Sequence, residues 1–291
     1  MREIKKIIWA TDGSKESEEA LNYAVFLTKK FGSEIIGIHV IPMPEKLLYE
    51  TEFQNWTIKV EENIQSKLTL IAGELASQGI NFQGAVLKGE PNKEIVGFAR
   101  REKADLIAIG KRGLGIIDRM LIGSTTLRVL RESNIPVLAV KKRDEEGKVD
   151  IRNILVPLDI YEKVDSSLNY AIDLAERISA NISVVYVFKL GPFFDEIPFS
   201  MLEDAIKGSS NKLAKRVEEI KLKRGIKHEI NTDVIRGIST STAIVDYASN
   251  KNANLIIINT HGRKGVRRLI LGSVTEKVIQ ESTCAVLALK P

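Results

Sequence analysis

"GKRGLGIIDRMLIGST" runs from 110 to 125, and "NTHGRKGVRRLILGSV" runs from 259 to 274. Both follow an apolar run, "DLIAI" before the first and "NLIII" before the second. The first then resumes as "STTLRVLRES" from Ser124. An apolar run, a glycine turn and then Ser and Thr at or near an N-cap are the pattern of a strand, a loop and a helix start.

Working outward, the similarity extends over the whole chain, as expected of a duplicated unit. "IIWATDGS" at 7–14 reappears as "ILVPLDIY" at 154–161, and "ALNYAVFLTKKFGSEIIGIHVI" at 20–41 as "SLNYAIDLAERISANISVVYVF" at 167–188. Asp12 therefore aligns with Asp159, Val40 with Val187, and Gly123-Ser124 with Gly272-Ser273. The charged stretch "KKRDEEGKVD" at 141–150 reads as a linker between domains at 1–143 and 151–291. A chain of 291 residues also exceeds the size at which one core stops growing.

In the first copy "IKKIIWA", "EIIGIHVI", "FQGAVLK", "DLIAIG" and "PVLAVK" are short runs rich in Ile, Val and Leu. Several are nearly continuous rather than alternating, which suits parallel strands covered on both faces. Between them Leu21, Ala24, Val25, Thr28 and Phe31 recur at helical steps, and Pro91 stands where a helix begins. Alternating strands and helices imply right-handed crossovers. The expected fold is α/β, two tandem doubly wound domains, each a five-stranded parallel sheet flanked by about four helices.

Hydrophobic residues make up 44% and charged residues 28%, values of a globular protein with a substantial core. No apolar run is long enough to span a bilayer, the charged start is not a targeting peptide, and the single Cys284 forms no internal disulfide. These features point to the cytoplasm. The net charge of +5 is spread among nearly as many acids, and no nucleic-acid-binding signature accompanies the basic clusters.

The glycine stretch matches neither G-x-G-x-x-G nor a P-loop. Its frame is Gly110, two residues, Gly113, nine residues, Gly123 and Ser124. A helix start presents outward N–H groups and a favourable dipole to an anion. Glycines keep Cβ atoms out of the way and permit positive φ. Ser124 and Thr125 add hydroxyls. Asp12 ends the first strand, where an open α/β sheet receives ligands. Its charge would repel phosphates, so it suits a base, a ribose or a metal.

With these residues in view, the chain resembles the universal stress protein family in its tandem form. The likeness rests on Asp12 in "ATDGS", the "GEP" turn at 89–91 and Gly110-x2-Gly113-x9-Gly123-Ser124, with "RGIS" at 236–239 and "THGRKGVRRLILGS" at 260–273 in the second half. The resemblance implies strand order 3-2-1-4-5 and ATP binding, often with Mg²⁺ or Mn²⁺. It puts Asp12 and Val40 along the adenosine, Gly110 and Gly113 along ribose and phosphates, and Gly123, Ser124 and Thr125 at the phosphate tail. It also implies that the last strands meet across a pseudo-twofold axis, an intramolecular pseudo-dimer, with a homodimer as a further assembly.

The second copy carries a candidate site at Asp159, Val187, Gly262, Gly272 and Ser273, but departs from the pattern. Asn259 replaces the first glycine, although Asn tolerates left-handed backbone, and Ile160-Tyr161 replaces Gly13-Ser14. The first half is expected to bind ATP and the second weakly or not at all.

The remaining polar residues read as structural. His39 is taken as a packed strand residue, Arg112 and His261 as surface polarity of the loop, and Cys284 as a small hydrophobe in the last strand. Phe193, Phe194 and Phe199 read as packing between the halves. Three functions stay open: an ATP-binding stress or regulatory module acting on an unidentified protein partner; a slow ATPase or nucleotidyl- or phosphoryl-transfer enzyme; and a nucleotide-free scaffold. No general base is evident near the phosphates, so no catalytic residue is named.

Overall fold

The near-continuous Ile and Val runs become central strands of the parallel sheet in each unit. A computed structural model describes residues 3–44, 50–113, 122–143, 148–162, 165–191, 198–260 and 271–290. The chain divides into two compact units, Glu3–Val149 and Asp150–Pro291.

The first unit comprises β1 (Lys6–Thr11), α1 (Lys15–Phe31), β2 (Glu34–Pro42), α2 (Thr51–Ser77), β3 (Phe82–Gly89), α3 (Pro91–Arg101), β4 (Leu106–Gly110), α4 (Ser124–Glu132) and β5 (Val137–Val140). Its sheet runs β3-β2-β1-β4-β5, with every neighbouring pair parallel. The strand order reverses between β1 and β4, so their carboxyl ends flank the switch point. Ile7, Ile8, Trp9, Ile35, Ile38, Leu106 and Ile107 are buried between helical layers. Local signals set the helix ends: the Ser14 side chain caps α1, Gly32 closes it in the left-handed region, and Pro91 starts α3. A Cβ on Gly84 would lie 2.7 Å from Leu68 Cβ, so this glycine lets α2 sit close on β3.

The second unit repeats the plan with β6 (Asn153–Pro157), α5 (Ser166–Ile178), β7 (Asn181–Lys189), α6 (Phe199–Arg224), β8 (Ile230–Gly237), α7 (Thr240–Asn250), β9 (Leu255–Asn259), α8 (Ser273–Glu281) and β10 (Ala285–Leu289). Its sheet runs β8-β7-β6-β9-β10, again parallel. The α/β class, the parallel sheets and four helices per unit agree with the sequence-based expectation.

Two expectations change. Cys284 precedes β10 and is half-buried, because the strand pairs only from Ala285 onward. Phe199 opens α6 and is 65% exposed, so it does not act as a packed aromatic. Phe193 and Phe194 lie outside the described residues. Among the described residues, no helix is long and apolar enough to cross a membrane.

Candidate functional site

The switch point of the first unit gathers most of the residues singled out from sequence. β1 ends at Thr11, and Asp12, Gly13 and Ser14 turn directly into α1. Gly13 makes this turn with φ 81, a conformation that side chains with a Cβ rarely adopt. Asp12 Oδ1 accepts from Ser14 N at 3.0 Å, and Ser14 Oγ accepts from Ser17 N at 3.2 Å. Val40 is buried near the end of β2.

Across the switch point, β4 ends at Gly110. None of Gly110, Gly113 and Gly123 has a positive φ, contrary to the expectation for the turn. Their function is the missing side chain. A Cβ on Gly110 would stand 2.9 Å from Ser17 N and 3.0 Å from Glu16 C, inside the first turn of α1. A Cβ on Gly113 would collide with Asp12 Oδ2. Gly110 thus seats α1 against β4, and Gly113 seats the glycine loop against the Asp12 carboxylate.

The ends of that loop are tied together. Gly123 N donates to Lys111 O at 2.8 Å, and Thr126 Oγ1 donates to Gly110 O at 2.7 Å. The N-cap of α4 is Gly123 rather than a hydroxyl residue, and no side chain caps it. Ser124 and Thr125 occupy the first two helical positions, Ser124 exposed and Thr125 half-buried. Their N–H groups belong to the first turn, which has no intrahelical acceptor. Asp12, Gly110, Gly113, Gly123, Ser124 and Thr125 are therefore grouped about the carboxyl ends of β1 and β4.

Sequence reasoning missed the strongest polar contact here. Arg112 is not loose surface polarity: its guanidinium pairs with Glu16, the two side chains being 17% and 8% exposed. Arg112 N also donates to Glu16 Oε2 at 2.7 Å, and Arg112 Nε to Oε1 at 2.8 Å. Glu16 thus holds the glycine loop by backbone and side chain together, one carboxylate oxygen taking the main-chain N–H and the other the guanidinium, in charge-assisted hydrogen bonds. His39 pairs in register with Thr11 and is half-buried. Burial pushes its imidazole below the ordinary value, the Asp12 carboxylate opposes this, and Lys67 adds to it.

The second unit brings the equivalent residues to the same place with altered contacts. Gly272 N donates to Thr260 O at 2.7 Å and Thr275 Oγ1 to Asn259 O at 2.8 Å, repeating the tie. Asp159 Oδ1 accepts from Tyr161 N at 3.0 Å, and Val187 is buried near the end of β7. Ser273 begins α8. Gly262 and His261 lie outside the described residues. Asn259 does not take up left-handed backbone; it ends β9, and its Oδ1 accepts from Ser166 Oγ at 2.7 Å. Ile160 has no positive φ either, and α5 begins only at Ser166. Arg216 of α6 spans the intervening loop, donating to Asp159 O at 2.9 Å and pairing with Asp165. Among the described residues of both units, no cluster of His, Cys, Asp and Glu is arranged to hold a metal ion.

Comparison with known proteins agrees with this architecture. The family model described as the universal stress protein family matches twice, over residues 3–141 and 150–290. Universal stress protein MJ0531 of Methanocaldococcus jannaschii is 35% identical over 145 residues, covering 49% of this chain and 85% of that protein. A universal stress protein of Mycolicibacterium smegmatis is 22% identical over 301 residues, covering 98% of this chain and 97% of its own. The crystal structure of a universal stress protein from Archaeoglobus fulgidus matches in fold, with TM-score 0.75, 24% identity and 98% of each chain covered.

Proposed function

Since the chain belongs to the universal stress protein family, with two such domains in tandem, we propose that its first unit binds ATP at the β1/β4 switch point and serves as a cytoplasmic regulatory module. The observation that carries this reading is the first turn of α4, which no side chain caps, held beside Asp12 at the switch point by the Gly123 and Thr126 ties, with Gly110 and Gly113 allowing the close packing around it. In this reading Asp12 and Val40 meet the adenosine, Gly110 and Gly113 the ribose and inner phosphates, and Gly123, Ser124 and Thr125 the terminal phosphates. The α4 N–H groups and dipole supply the attraction for negative charge. The protein offers no ready set of metal ligands among the described residues, so Mg²⁺ or Mn²⁺ would ride on the triphosphate, whose charge it would neutralise.

The second unit binds ATP weakly or not at all in this reading, because the Asn259 side chain stands where the first unit has bare backbone. Calorimetric titration of the full chain with ATP is the test, repeated with Gly113→Ala. One site is expected, lost in the variant because the new Cβ meets Asp12 Oδ2. Two equal sites, or full affinity in Gly113→Ala, would overturn the proposal.

A further inference from the structure

Near the amino ends of its strands the second unit has a half-open cavity of about 530 Å³, at the opposite end of the strands from Asp159 and Asn259. Asn153 opens β6 and Asn181 opens β7, paired in register; Leu155 pairs with Ser183, and Ser183 with Asn231. α7 and its C-cap contribute Tyr247 and Lys251.

The first unit places a charged cluster and a branched apolar side chain at the same position. Lys6, Glu34, Ile36 and Glu102 stand at the positions of Asn153, Asn181, Ser183 and Lys251. Lys6 Nζ lies 3.1 Å from Glu34 Oε1 and 2.8 Å from Glu102 Oε2, and Ile36 is buried. In the second unit the bridging lysine and both its carboxylates are gone, and a hydroxymethyl group replaces the branched side chain. The polar lining of this space is thus particular to the second unit.

Its walls are polar without net charge. Lys251 Nζ lies 3.8 Å from Asp233 Oδ2, so the two charges offset each other and leave no field to hold an ion. Tyr247 donates its hydroxyl to Asp233. Burial, and then that hydrogen bond, raise the phenol well above its ordinary value, so it remains a donor. Asn181 Nδ2 donates to Asn153 Oδ1 at 3.1 Å, and Asn153 Nδ2 to Asn252 O at 3.3 Å, which fixes the orientation of Asn153. Among the described residues, the Ser183 hydroxyl and the Asn231 carboxamide have no hydrogen-bond partner. Groups that both donate and accept, above the apolar Leu155 and Ala253, match a ligand with many hydroxyls and a C–H face.

We propose that this cavity binds a small neutral polyhydroxylated molecule, a monosaccharide or cyclic polyol, whose hydroxyls meet Ser183, Asn181 and Asn231. The volume lies within the range of small-molecule sites. Nucleotides and free phosphate are disfavoured, since Lys251 is already matched by Asp233.

The test is a heteronuclear NMR titration of the full-length chain with D-glucose and with myo-inositol, using inorganic phosphate and ATP as comparators. Either polyol is expected to shift the Ser183 and Asn231 amides saturably while leaving Gly113 and Ser124 in place. Ser183→Ile, which writes the first unit's residue into the cavity, is expected to weaken polyol binding by about tenfold or more and leave ATP affinity unchanged. Asn231→Ala should act in the same direction and serves if Ser183→Ile does not fold. No saturable shift with either polyol, equal affinity in the variants, or a response to phosphate in place of the polyols would overturn the proposal. ATP binding is read at other residues, so the two readings fail separately.

Discussion

The two units carry the same strand order and the same tie between the fourth strand and the fourth helix, yet differ where the first helix begins. In the first, α1 starts at Lys15, three residues past Asp12; in the second, α5 starts at Ser166, seven past Asp159. Two positions change together. Gly13 with φ 81 permits the tight entry into α1, and Gly110 leaves room for that helix's first turn. Ile160 does not adopt the left-handed turn, and Asn259 fills the room with a carboxamide bonded to Ser166. Either change alone would leave a clash or a gap. A helix start is thus set by a residue on a distant strand as much as by its own cap.

The comparison can be broken most severely at Glu16. Glu16→Ala leaves the little-exposed Arg112 guanidinium without its carboxylate, and loss of one partner of a buried pair costs about 3 kcal/mol. Chemical denaturation should show that loss, and ATP titration should show weaker binding as the glycine loop is freed. Gly110→Asn imports the second unit's residue and is expected to cost about 2 kcal/mol by overpacking against Ser17 N and Glu16 C. A crystal structure of that variant should show α1 starting later, and calorimetry should find ATP binding abolished.

The reverse exchange, Asn259→Gly, should not create a site, because Ile160 still precludes the tight turn. It removes the partner of Ser166 Oγ, a loss of about 1 kcal/mol measurable by thermal unfolding. Gain of a second ATP site in this variant would show that Asn259 alone accounts for the difference.

The smallest expected effect concerns pH. The folded His39 has a depressed pKa, so its contribution to stability is complete above the unfolded value of about 6.5 and is lost as pH falls from there through the folded value. His39→Gln should flatten the decline in melting temperature between neutral and mildly acidic pH. Asp12→Asn removes the charge that opposes the depression and should lower the His39 pKa further, read by NMR titration.

Much of this was legible in the sequence. Buried Ile and Val runs announced the strands, and Gly110 and Gly123 marked the edges of the loop at the switch point. Of the two virtues expected of the glycines, close approach holds, though toward α1 and the Asp12 carboxylate, while among the described residues of the loop Gly110, Gly113 and Gly123 use no positive φ. Arg112 was misread because its partner lies 96 residues away in sequence, and nothing local distinguishes a paired charge from a solvated one. Thr126 escaped notice because a hydroxyl inside a helix looks ordinary until the carbonyl of Gly110 is found above it. The late start of α5 depends on backbone angles at Ile160 and on Asn259 from another strand.

The paired ties, Gly123 with Lys111 and Thr126 with Gly110, have a practical corollary. They fix both ends of the segment between Lys111 and Gly123 through the main chain of the first residue pair and a single hydroxyl of the second. Only the Thr126 tie depends on a side chain, the other running from main chain to main chain. The register between strand and helix at the switch point therefore hangs on the identity of one hydroxyl-bearing residue, Thr126.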